Sequence, residues 1–384
     1  MANSVHLARW IGQLPLKDWH AEVFSSTPSG QSHPQLRDVT VHHLCYPRPR
    51  TGIRQRGLPV LHPLLASFVE DALEKQMPGL RASRLAALIR RLRPDVIHSL
   101  EIQHSAYLTE DARKLLGGKF PRWIVTNWGS DIQAFHGDPV HATRIREVLA
   151  RCDAYTCECE RDLRLAREIG FEGMTFPPFP NAGGYDLARI ATWRATAPSS
   201  RRGILVKGYH GWAGRALVAL RALGAVGDLL GGYRLCVYSA SPEVAAAAKE
   251  LAASTDIDLD VIPSSRPLPH DEMLRRHGQA RLSLGLSMSD GVSTSFLEAL
   301  VMGSFPIQSW TSCANEWIVD GETGILVPPE DPEEVAMALR RALTDDALVD
   351  TASEGNWAVA KTRLDAVELA RAARSIYEQV VGHH

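Results

Sequence analysis

The sequence predicts an α/β protein of two doubly wound domains facing each other across a cleft. Three observations carry that reading. Short apolar runs alternate with helical periodicity along most of the chain, as in parallel sheets buried on both faces. The alternation occurs twice, on either side of a polar stretch. The length of 384 residues suits two or three domains of about 150 residues each.

Composition narrows the function. A net charge of −2 argues against a protein that coats nucleic acid. No apolar run approaches the roughly 18 residues of a membrane span. Met1-Ala2-Asn3-Ser4 lacks the charged and apolar regions of a signal peptide, so a cytoplasmic protein is expected. Of six cysteines, only Cys152, Cys157 and Cys159 cluster. Their Cys-x4-Cys-x-Cys spacing is not a common zinc pattern, so buried free thiols and no metal are expected.

The first domain is assigned to residues 1–190. Val5, Trp10, Ile11 and Leu14 share a face of an opening helix, with Ser4 placed as its N-cap. Strands are expected at Ala21–Ser25, Val39–Leu44, Val96–Ser99, Trp123–Asn127 and Ala154–Thr156, with a helix at Leu80–Leu92 stopped by Pro94. An open α/β domain normally begins on a central strand, and this chain begins on a helix, so either that first strand is absent or the sheet is built differently. Residues 46–57 carry Arg48, Arg50, Arg54 and Arg56 among Pro and Gly. They read as a mobile basic loop, either merely solvated or suited to an anionic acceptor or to peripheral contact with the inner membrane face.

The polar stretch Ala188–Arg202 reads as a linker. The second domain, 200–364, repeats the alternation. Its strands are Ile204–Lys207, Arg234–Ser239, Leu259–Ile262, Leu282–Leu286, Phe305–Gln308 and Gly324–Val327. Its helices are Ala213–Leu223, Glu243–Ala253, Asp271–His277, Ser293–Met302 and Pro332–Leu343. Residues 365–384 form a last helix that returns to the first domain. In such folds ligands sit at the carboxyl ends of the strands.

One segment concentrates the chemistry. From Ser287 to Pro306 a strand runs through a Ser/Gly-rich loop into a helix. Unpaired N–H groups and the helix dipole make such a helix start a phosphate site. Gly291 lets backbone approach a ligand, and Ser293, Thr294 and Ser295 add hydroxyl donors. Glu298, about one turn along, can accept from a pair of vicinal hydroxyls, and Asp290 precedes it by eight positions.

An acidic pair alone says little. Here it is followed by Ala-Leu-Val-Met-Gly-Ser-Phe-Pro-Ile and, further on, by Asp320-Gly321-Glu322-Thr323-Gly324 and Pro328-Pro329-Glu330-Asp331-Pro332. Together these resemble the retaining GT-B glycosyltransferases of family 4, whose signature is Glu-x7-Glu, and Asp290 stands where that family usually has its first Glu. The resemblance implies two Rossmann-like domains and transfer of a sugar from a nucleoside diphosphate donor, UDP- or GDP-linked, to an acceptor hydroxyl with retention. It implies that Glu298 binds the ribose, that Asp290 lies beside the donor sugar, and that amides of Gly291, Val292, Ser293 and Thr294 hold the sugar and diphosphate. It implies no cofactor or metal.

Family members without a metal place an Arg and a Lys after the first strand of the second domain. Here Lys207 comes first and Arg215 follows, flanking a loop with Gly208. Both are expected to face the leaving diphosphate. In the first domain, Thr126-Asn127-Trp128-Gly129-Ser130-Asp131 resembles the family's Thr-x-His-Gly-x-Asp loop, with Trp128 in place of His. His98, Trp128 and Asp131 are the candidates for the cleft on that side. The acceptor, whether glycan, lipid-linked molecule or small molecule, is not legible. Two rival readings stand beside the transferase: a nucleotide-sugar epimerase of GT-B fold, and a catalytically silent module that binds a nucleotide or a partner.

Overall fold

The structure is a computed structural model and describes residues 2–28, 31–47, 52–194 and 196–382. The chain divides into one unit of Met1–Gly184 with Val367–His384 and a second of Tyr185–Ala366.

The first unit holds β1 (Glu22–Phe24), β2 (Thr40–Pro47), β3 (Arg54–Val60), β4 (Val96–Leu100), β5 (Arg122–Thr126), β6 (Ala154–Thr156) and β7 (Met174–Thr175). All their ladders are parallel. They form a sheet of order β1-β2-β3 and a sheet of order β4-β5-β6-β7. The opening helix spans Val5–Gly12, and Ser4 Oγ accepts the His6 N–H at 3.2 Å. Trp10 is fully buried, whereas Val5 is 40% exposed. Five residues turn about 140° around a helix, which sets Val5 well away from the Trp10 face.

Two differences from the sequence reading matter. Within the basic segment 46–57, Arg54–Gly57 begin β3, an edge strand paired with β2; Arg48 and Arg50 lie outside the described residues. The helix Pro63–Gln76 that follows was not expected. The C-terminal helix, Ala366–Gly382, packs Leu369, Ala373, Ile376 and Tyr377 with Trp10, Ile124 and Phe179.

The second unit holds β8 (Gly203–Lys207), β9 (Arg234–Ala240), β10 (Asp258–Pro263), β11 (Ala280–Gly285), β12 (Phe305–Ser309) and β13 (Ile325–Val327). The sheet order is β10-β9-β8-β11-β12-β13, all parallel. Ile204, Val206, Leu235, Val237, Leu282, Leu284 and Ile307 form its apolar centre. The expected linker 188–202 is not free chain. Arg201, 5% exposed, donates to the carbonyls of Ala280 and Met302, so this stretch is folded onto the second unit. The helix expected from Ala213 begins at Ala216, because residues 213–215 take part in loop pairing.

The connectivity fixes where a ligand can sit. From β8 the chain winds outward to β10, then crosses back to β11 on the other side of β8 and winds outward again. The boundary between β8 and β11 is the topological switch point, where the connections diverge and leave a crevice at the carboxyl ends of the strands.

Candidate functional site

Lys207 ends β8, and the segment Leu286–Ser293 leaves β11, so the switch point brings the two together. The loop after β8 lies against the loop after β11: Arg215 N–H donates to Leu286 O at 3.0 Å and Met288 N–H to Ala213 O at 2.7 Å. Close packing requires glycine at both ends of this loop. A Cβ on Gly208 would meet Tyr238 O at 2.8 Å, and one on Gly214 would meet Tyr209 O at 2.1 Å.

The helix Thr294–Met302 starts at Ser293, whose backbone is extended as in an N-cap but whose side chain caps no N–H. Ser293 Oγ instead accepts from Lys207 Nζ at 3.0 Å and lies 2.9 Å from Ser295 Oγ. The same ammonium lies 3.7 Å from Asp290 Oδ2. A cation therefore sits at the positive end of a helix whose first turn has no capping oxygen from Ser293, an arrangement that attracts an anion. Asp290 also turns its Oδ1 onto the Gly291 N–H at 2.9 Å. Gly291, Val292 and Ser293 are buried, and Thr294 and Ser295 are partly so.

Glu298 lies on the same helix, about one turn beyond Ser295. Its carboxylate is nearly buried and accepts from His270 Nε2 at 3.0 Å, while His277 Nε2 lies at 3.5 Å. Burial raises its pKa, but hydrogen bonds and positive charge from His270 and His277 outweigh that and hold it at about 2. His277 is fixed in turn by Ser283 Oγ at 2.9 Å on its Nδ1. His270, on the same helix two turns earlier, has a 40% exposed side chain, so it is the solvent-facing member of the chain. Neither histidine was singled out by sequence. Their seven-residue spacing on one helical face was the available signal.

Arg215 sits differently from Lys207. Its Nε donates to Glu330 at 2.9 Å and its Nη1 to the carbonyls of Gly211 and Gly214 at 2.9 and 3.0 Å. These bonds tie the glycine loop together. Tyr209, Trp212, Met288 and Trp310, exposed around the carboxyl ends of β8, β11 and β12, were not anticipated either.

In the first unit the three candidates are bound into its own architecture. His98 Nδ1 shares a hydrogen bond with Tyr377 Oη at 2.6 Å and its Nε2 another with Thr126 Oγ1 at 2.6 Å, while Tyr377 Oη accepts from Trp10 Nε1 at 2.7 Å. Burial pushes the His98 pKa down to about 3. Asp131 Oδ2 accepts the backbone N–H groups of Ile102 and Trp128 at 3.0 and 2.9 Å. Burial first, and the Glu101 charge second, raise its pKa well above the ordinary value. Trp128 is partly buried and packs 5.4 Å from the His6 ring. All six cysteines are buried free thiols.

Two family models match the chain: Glycosyl transferase 4-like over residues 1–158 and Glycosyl transferases group 1 over residues 210–345. No curated protein matches by sequence. Among solved structures, a sucrose-phosphate synthase from Thermosynechococcus elongatus is similar at 16% identity and a TM-score of 0.68, covering 98% of this chain and 92% of that one. A protein from Anabaena solved in complex with UDP-glucose is similar at 11% identity and a TM-score of 0.65, covering 99% and 97%. A trehalose-6-phosphate synthase studied for glycosyl transfer with retention is similar at 15% identity and a TM-score of 0.60, covering 84% and 80%. At these identities the likeness is one of fold: two Rossmann-like domains of the GT-B type.

Proposed function

Because the chain belongs to the glycosyltransferases of GT-B fold, we propose that it transfers a sugar from a nucleoside diphosphate donor to an acceptor hydroxyl with retention of configuration. The observation that carries this reading is Lys207 Nζ, 3.0 Å from Ser293 Oγ at the start of helix Thr294–Met302, at the switch point of the second unit. A diphosphate placed there meets a cation, helix N–H groups and the hydroxyls of Ser293, Thr294 and Ser295.

The bond to the leaving diphosphate breaks as the acceptor oxygen bonds to the anomeric carbon. The acceptor proton passes to a donor phosphate oxygen, so the protein supplies charge and position rather than a base. Lys207 and the helix start stabilise the charge that develops on the leaving group. Gly208 and Gly291 admit it closely, and Arg215 holds the loop that frames it. Asp290, one methylene shorter than a glutamate, orients Lys207 and faces the sugar. Glu298, oriented by His270, takes the ribose hydroxyls. The Anabaena protein was solved with UDP-glucose, which makes a uridine donor the first to test.

Acceptor-dependent release of UDP from UDP-glucose, with the product sugar resolved by NMR, tests the reaction. A changed sugar without an acceptor would mean epimerisation. Donor binding without turnover on any acceptor would mean a silent module.

A further inference from the structure

Three loops of the second unit meet beside Asp290, and each carries an exposed aromatic or sulfur-bearing side chain. Met288 N–H donates to Ala213 O at 2.7 Å, which sets the residue after Trp212 against the loop leaving β11. Ser287 N–H donates to Ser309 Oγ at 3.0 Å, and its carbonyl accepts from Ser309 Oγ at 2.9 Å and from Thr311. Those bonds hold both neighbours of Trp310 to the same loop. Trp212 is nonetheless 62% exposed and Trp310 56%, and Tyr209 and Met288 are exposed as well. Tyr209 is hydrogen-bonded to Trp212, and its pKa is raised by burial first and by the Asp290 charge second. A carboxylate thus stands within electrostatic reach of the aromatic group. Exposed rings gathered around a reaction centre mark a binding surface.

Strand order decides which end of the donor they meet. The order β9-β8-β11-β12 places β9 and β12 on opposite flanks of the switch point. The ribose flank is that of β9: His277 lies 3.5 Å from Glu298, and its ring is 6.1 Å from that of Tyr238. Trp310 follows β12, on the other flank. A nucleotide sugar with its ribose at Glu298 and its diphosphate at Lys207 and Ser293 therefore runs toward the aromatic group, sugar last. The base lies at the far end, so these rings do not stack on it. What arrives beside the sugar is the acceptor.

Its chemistry follows from the mixture of groups. The electron-rich face of an indole attracts the hydrogens of C–H bonds, and carboxylates and hydroxyls take hydroxyl partners. Around Trp212 and Trp310 the loops interleave Ser289, Asp290 and Thr311. A hydrocarbon chain laid there would strip water from those groups and return nothing. A pyranose ring suits both, with C–H bonds on a face and hydroxyls around its rim.

We propose that Tyr209, Trp212, Met288 and Trp310 form an acceptor platform on the second unit, and that the acceptor presents a hexopyranose ring to it. The proposal rests on the donor reading given above.

Saturation-transfer NMR on the full chain tests it, using methyl glycosides of glucose, galactose, mannose and N-acetylglucosamine, each with and without UDP. The ring-free control is 1-octanol. At least one glycoside should bind, with saturation strongest on the C–H protons of one ring face. Trp212→Ala/Trp310→Ala should weaken that glycoside about tenfold, with UDP affinity and melting temperature unchanged. Trp212→Phe/Trp310→Phe, which keeps two ring faces, should recover most of the loss. The proposal is overturned if none of the glycosides binds, if the alanine variant binds them equally, or if octanol binds more tightly at these residues. An equal loss of UDP affinity in the alanine variant also overturns it, since the rings would then hold the donor. Glycoside binding at these tryptophans by a chain that binds no UDP would instead refute the donor reading and keep the platform as a sugar site.

Discussion

His270 Nε2 donates to Glu298 Oε1 across 3.0 Å, and this bond joins a solvent-facing imidazole to a carboxylate that is nearly buried. The pKa of Glu298 is held at about 2, below the ordinary carboxylate value. A depressed folded-state pKa gives stability that is complete above the unfolded value and is lost as pH falls through the folded one. Thermal unfolding measured between pH 6 and pH 2 should therefore show wild type losing about 3 kcal/mol more than Glu298→Gln as the pH drops below the ordinary carboxylate range. Parallel curves would mean that the carboxylate is not held in this way.

His270→Ala leaves Glu298 without its outer partner. Since His270 positions a ribose-binding group, the expected effect is a rise in donor KM of about tenfold with little change in kcat. His270→Gln, which keeps a donor at that distance, should recover much of the loss. A fall in kcat alone would place His270 elsewhere in the chemistry.

Gly214→Ala puts a Cβ 2.1 Å from Tyr209 O, so the loop after β8 must shift. A loss on the order of 2 kcal/mol in urea unfolding is expected, along with weakened donor binding, because the loop frames Lys207. Arg215→Ala should weaken the same loop. Its coupling to Glu330→Ala in a double-mutant cycle should be only about 0.5 kcal/mol, since the Glu330 side chain is 60% exposed. A much larger coupling would contradict the loop-tying role drawn from its two carbonyl contacts.

Tyr377→Phe removes the hydroxyl that receives Trp10 Nε1 and bonds His98. Leaving those buried groups unpaired should cost about 1–3 kcal/mol. Donor affinity, measured by titration, should not change. An affinity change would point to substrate contact by His98.

The fold was legible wherever strands are buried on both faces. Gly203–Lys207 reads as an apolar run bounded by polar residues, and Leu282–Leu286, within and just after Ala280–Gly285, as leucines alternating with the small residues Ser283 and Gly285. β3 escaped because it is an edge strand with Arg54 and Arg56 outward, which resembles a basic loop. The helix Pro63–Gln76 escaped because its Leu64 and Phe68 face water, so apolar positions do not mark its buried side. In the site, Lys207, Asp290 and Ser293 were legible as ends of adjacent elements, and the structure brings them together. His270 and His277 were hidden in a polar helix, since spacing alone cannot show that a carboxylate on a neighbouring helix lies between them. Arg215 shows the converse: a cation near the right loop whose partners turn out to be carbonyls and Glu330.

The central claim is that Lys207 and the start of helix Thr294–Met302 hold the diphosphate of a nucleotide sugar. Calorimetric titration of UDP-glucose and UDP into wild type and Lys207→Ala tests it most directly. The account predicts saturable binding of both ligands to wild type and affinity at least about tenfold weaker for the variant, with an unchanged melting temperature in the absence of ligand. Equal affinity for the two proteins would contradict it.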